Sequence, residues 1–183
     1  MSGLARISKK RNSGMTLVEL LIALALSALV LIAAGNLTIY AARSFQALGN
    51  YNDLDEASQN ALDTMSKEIR QTTGCVLTGS NGVSQTLLLT NWDGTLVTYK
   101  WDSTSRNLVR SKAGQADIIL LPQCDSLIFN LSQRNPSNNF TFYPATGTNA
   151  AKLVDVTWTC SRKILQSRRN TESVQTAKIV LRN

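Results

Sequence analysis

The sequence predicts an α+β chain: a long N-terminal helix, transmembrane in its first part, packed on an antiparallel β-rich C-terminal domain. Three observations predict it. Met15 to Gly35 holds a single charge, Glu19, in 21 residues. Apolar residues then recur at three- and four-residue spacing as far as Ile69. Beyond Gly74 the period shifts toward two, with turn residues between short apolar runs.

Residues 1–14 form a basic leader. Arg6, Lys9, Lys10 and Arg11 supply four of the 19 basic residues, and no acid precedes Glu19. The net charge of +7 is therefore concentrated ahead of the apolar run, and the remainder does not read as a nucleic-acid footprint. Leu, Ala, Ile and Val dominate residues 15–35, with no proline. At a helical rise of about 1.5 Å per residue they span roughly 30 Å, the thickness of a bilayer's hydrocarbon core. A helix satisfies its own backbone there, and the basic leader keeps the N-terminus cytoplasmic while the C-terminal bulk crosses.

Residues 36–73 read as an amphipathic continuation. Leu37, Tyr40, Ala41, Phe45 and Leu48 share a helical spacing, as do Leu54, Ser58, Ala61, Leu62, Met65 and Ile69. Asp53, Glu56, Asp63, Lys67 and Arg70 occupy the outer positions, with Asp63 and Lys67 an acid-before-base i,i+4 pair. Gly74 is the expected C-terminal stop. Gly35-Asn36 and Gly49-Asn50 are the points where the helix could bend, and Gly49-Asn50 is the better break if it is two helices.

Residues 74–183 are the β-rich domain. Thr86–Thr90 and Leu96–Trp101 flank a turn at Asp93-Gly94, a hairpin signal, and "NLVRSK" follows as a third strand. "DIILLPQCDSLIFNLS" holds two strands or one bent at Pro122, and "FTFY" another. "KLVDVTWTCSR" alternates cleanly, placing Val154, Val156, Trp158 and Cys160 on one face, and pairs with "VQTAKIVLRN" across a long polar loop.

The residue inventory excludes several chemistries. There is no histidine, so Ser-His-Asp and Cys-His nucleophiles and histidine-containing zinc sites are ruled out. No phosphate-cradling glycine motif occurs, and the carboxylates Asp93, Asp102, Asp117 and Asp125 lack calcium-loop spacing. No catalytic residue, metal site or cofactor is expected. Cys75, Cys124 and Cys160 allow one disulfide and a leftover thiol, and the spacing does not choose among three pairings. Arg162, Lys163, Arg168 and Arg169 cluster in the expected final loop. A solvated surface is favoured there over DNA contact, because no aromatic platform accompanies the charges.

"KKRNSGMTLVELLIALALSALVLIAAG" resembles the type IV prepilin signal of bacterial pilins and type II secretion pseudopilins. Gly14, Met15, Thr16, Leu17 and Glu19 match it residue by residue, with Met15 where phenylalanine is common. The resemblance implies cleavage by prepilin peptidase between Gly14 and Met15, and methylation of the new Met15 amine. It also implies retention in the inner membrane and assembly with other pilins or pseudopilins through an inner-membrane platform. A carboxylate in hydrocarbon needs a partner. Within one subunit Glu19 offsets its own amine and helix start. In a filament, the resemblance implies, it docks against the amine of the next subunit. "ALDTMSKEIRQT", "TYKWDSTSRNLVR", "LPQCDSLIFNL" and the terminal "LRN" resemble J-type pseudopilins and W-type minor pilins, which implies a priming or tip role. The rival reading is a secreted or anchored β-rich binding domain, cut by an ordinary signal peptidase near Gly35.

Overall fold

The computed structural model describes residues 14–135, 137, 141–145, 150–164 and 167–181, with 167–171 as backbone alone. One helix, α1 (Leu17–Gln71), precedes nine strands. The chain divides into two compact units, one ending at Ala42 and the other beginning at Arg43.

In the first unit the helix is exposed on every side from Leu17 to Tyr40. It is long and apolar enough to cross a membrane, and none of the qualifying window is buried. Its Ser27 and Thr38 hydroxyls bond back to the helix itself. Ser27 Oγ donates to the Ala23 carbonyl at 2.7 Å, and Thr38 Oγ1 to that of Ala34 at 2.9 Å. Gly35-Asn36 does not interrupt the helix. Glycine keeps its backbone N–H, so its cost of about 1 kcal/mol is entropic and the hydrogen-bond ladder survives.

In the second unit the helix continues unbroken through Gly49-Asn50, which corrects the two-helix alternative. Leu54, Ser58, Ala61, Met65 and Ile69 are buried, and Leu62 packs at the core's edge. Asp63 and Lys67 are both exposed, as their positions opposite this stripe require. The helix ends at Gln71 rather than at Gly74. Thr72 Oγ1 donates to the carbonyls of Gly74 and Thr90, so the chain leaves the helix directly into an unexpected strand, β1 (Thr72–Ser80). Gly74 sits just past the register irregularity that starts this strand.

Strands β1, β2 (Ser84–Asn91), β3 (Leu96–Asp102), β4 (Asn107–Lys112) and β5 (Ile118–Leu121) form a sheet in sequence order, all antiparallel. The β2–β3 hairpin and β4 lie where the sequence placed them. Gly94 takes a φ of 78° in the turn, and Asp93 Oδ1 accepts from the N–H and hydroxyl of Thr95. In β1, Gly79 is required by space: a Cβ there would lie 2.2 Å from the Ser84 carbonyl oxygen.

A second sheet has the order β7 (Phe142–Pro144), β6 (Cys124–Arg134), β8 (Leu153–Ile164), β9 (Ser167–Val180). Of the two readings of the Pro122 segment, two strands is the observed one, because β5 and β6 belong to different sheets. The strand expected at "FTFY" runs over Phe142–Pro144. The final hairpin differs more. Strands β8 and β9 continue to Ile164 and from Ser167, so the expected long polar loop is mostly paired strand. Inter-strand hydrogen bonding recruits those polar residues, which need no burial to extend a ladder.

The two sheets and the helix share one core. Val154, Val156, Trp158 and Cys160 all face it, fully buried, as the alternation predicts. Gln85 Oε1 accepts the Phe129 N–H at 2.7 Å, joining β2 to β6 inside it.

Candidate functional site: the start of the helix

The four leader charges Arg6, Lys9, Lys10 and Arg11 lie outside the described residues. Gly14, Met15 and Thr16 precede the first helical residue and are exposed, and an added Cβ on Gly14 would meet nothing within 4 Å. The Gly14–Met15 bond thus lies on an exposed, non-helical segment.

Thr16 is the N-cap. The Leu20 N–H makes its bond to the Thr16 carbonyl at 3.1 Å, the first of the helical ladder. Glu19 N–H donates to Thr16 Oγ1 at 3.2 Å. In return Glu19 Oε2 accepts from the Thr16 N–H at 2.9 Å and its hydroxyl at 3.0 Å. This is a capping box, in which two helix-start donors are satisfied reciprocally. Its signal is the Thr-x-x-Glu spacing of "TLVE", which the sequence reading matched to a motif without recognising the cap. Both bonds to the carboxylate fall on Oε2, and among the described residues Oε1 accepts none. Glu19 therefore caps the start of the helix, on a stem whose apolar surface is exposed.

The other candidates separate. Arg162 and Lys163 lie on β8, and Arg162 pairs with Asp53 on the helix. Arg168 and Arg169 fall in β9, where the backbone alone is described. All four lie on strand residues that flank the β8–β9 turn, not in a long polar loop. Asp93, Asp102 and Asp125 are engaged locally, by Thr95, by the Thr104 N–H, and by Arg106 and Ser161. Among the described residues no three His, Cys, Asp or Glu side chains gather as a metal would need.

One cluster was not anticipated. Glu68 on the helix faces Arg110 of β4, whose Nε donates to its two oxygens at 3.0 and 3.1 Å while Nη2 adds a further bond to Oε1. The Tyr99 hydroxyl of β3 donates to the same carboxylate, and Tyr99 stands opposite Arg110 in the strand register. Burial works against the Glu68 charge, but bonds from Arg110 and Tyr99 outweigh it and hold the group below the usual carboxylate range. Burial, then the carboxylate, pushes the Tyr99 phenol up, so it stays a donor. These groups fasten the helix to the sheet.

No curated protein and no solved structure matches the chain. A family model described as the prokaryotic N-terminal methylation motif matches residues 9–35, the stretch that holds Gly14, Met15, the capping box and the exposed apolar helix. The chain carries, at its N-terminus, the prepilin signal of type IV pilins and pseudopilins.

Proposed function

We propose that the chain is the precursor of a pilin-like structural subunit, a minor pilin or pseudopilin of a type IV pilus or a type II secretion pseudopilus. Processing by prepilin peptidase and assembly with other pilins follow from the motif, and the apolar helix is consistent with membrane anchoring. In this reading prepilin peptidase removes residues 1–14 and methylates the Met15 amine. Residues 15–35 hold the subunit in the inner membrane, with the β-rich domain on the periplasmic side. The assembly platform then lifts the stem out of inner-membrane lipid into a bundle of like stems, at the tip or in the priming complex. Residues 36–73 continue the stem into the domain of residues 74–183. No catalytic role is assigned to any residue.

The observation that carries the proposal is the Glu19 carboxylate in the capping box at the start of an exposed apolar helix, a few residues from the bond whose cleavage creates a cation. In hydrocarbon an unpaired carboxylate is costly, and an incoming Met15 amine from the adjacent subunit supplies the missing partner. The pairing penalises wrong axial stagger, so it sets register.

Two outcomes test this. Intact mass of the protein from membranes should show loss of residues 1–14 and one added methyl on Met15. A mature chain beginning near Asn36 would establish the ordinary signal-peptide rival instead. In the second test, Glu19→Val should insert and be cleaved normally, while its recovery in sheared filaments or pseudopili falls roughly tenfold or more. Unchanged recovery would remove the docking role.

A further inference from the structure

Cys124 opens β6 and Cys160 lies in β8, and the register sets them directly opposite each other. Residues so opposed on antiparallel strands have Cα atoms about 4.5–5.5 Å apart, inside the roughly 4.4–6.8 Å window that a disulfide spans. Both are thiols and fully buried. Cys124 is held from two sides. Its N–H donates to the Arg106 carbonyl at 2.7 Å, and its carbonyl accepts from Trp101 Nε1 at 3.1 Å. Cys75 stands opposite Leu89 in the other sheet, with no cysteine across from it.

We propose that Cys124 and Cys160 are a disulfide-forming pair that closes a bridge between β6 and β8, while Cys75 remains a thiol. In the cell this rests on the export reading, because the cytosol keeps thiols reduced. The oxidant is a disulfide, either of a protein oxidoreductase or of oxidised glutathione. The thiolate of one cysteine of the pair attacks one oxidant sulfur, forming a mixed disulfide and expelling the other sulfur as a thiol. The second cysteine then loses its proton and attacks its partner's Sγ, expelling the second oxidant thiol. Two protein thiols and one disulfide become one protein disulfide and two thiols.

The Cys124 S–H donates to the Ser126 carbonyl at 3.3 Å. Cys75 is pushed up by burial alone. Because both sulfurs of the pair are inaccessible in the folded domain, closure occurs during folding, before β8 seats, or in a local opening.

The test uses the full chain in detergent, unfolded, refolded in a glutathione redox buffer, quenched in acid, alkylated and digested without reduction. The Cys124 peptide should be linked to the Cys160 peptide, with Cys75 alone alkylated. The oxidised chain should melt roughly 10 °C above the reduced one. Cys75→Ala should keep the link and Cys160→Ala should lose it. A link through Cys75, or three alkylated thiols after refolding, would overturn the pairing. The chain taken directly from membranes and quenched in acid should carry the same bridge. Thiols in that sample, with the bridge present after refolding, uphold the pairing and count against export.

Discussion

Trp158→Ala is expected to lower the unfolding free energy of the Arg43–Asn183 unit by about 4 kcal/mol. Trp158 is among the largest fully buried side chains, at 0% exposure, and sits on the inward face of β8 with Val154 and Val156. Its indole Nε1 donates to Ser58 Oγ at 3.3 Å, so it touches the helix as well as the sheet. Truncation removes the transfer free energy of the ring and leaves a cavity that helix and strand cannot both collapse into. It also leaves the buried Ser58 hydroxyl without its donor. A loss of this size is a large share of the roughly 5–15 kcal/mol available to a domain. Denaturant unfolding followed by far-UV circular dichroism reads it directly. A change under about 1 kcal/mol would show that Trp158 does not pin the helix to β8.

Arg110→Ala should cost about 3 kcal/mol, the lower end for breaking a buried pair. The Arg110 and Glu68 side chains are only 10% and 15% exposed, so the carboxylate is left with Tyr99 as its surviving partner. Arg110→Lys keeps the charge but loses the fork, and should fall between the two. The pH dependence follows from the lowered Glu68. A depressed carboxylate stabilises the fold at pH above its unfolded value, and that contribution fades as pH falls through the lower folded value. The parent should therefore lose stability in acid below the usual carboxylate range, and Arg110→Ala should show a flatter profile there. Equal acid slopes in the two proteins would mean that Glu68 is not held by Arg110.

Local signals were legible where they had a local cause. Asp93-Gly94 named its turn because Gly94 needs a positive φ and Asp93 bonds Thr95 two residues on. The alternation of Val154, Val156, Trp158 and Cys160 named the inward face of β8 because a strand's side chains repeat every two residues. The "GMTLVE" motif was legible for the same reason: its glycine, methionine and carboxylate all lie within six residues. By contrast, β1 escaped because Gly74 reads as a stop, whereas pairing with β2 draws its segment into a strand. The final hairpin was underestimated because polar residues at a sheet edge carry no apolar period to read.

By itself, then, the sequence determined the apolar stem, the Glu19 motif at its start, the α+β class and the inward face of β8. These follow from short-range periods and spacings that each segment carries alone. Only the tertiary structure decided that Cys124 faces Cys160, that Arg110 and Tyr99 converge on Glu68, and that Trp158 meets Ser58. Those partners are 31 to 100 residues apart, and only the two sheets' strand order and the helix's buried face bring them within reach.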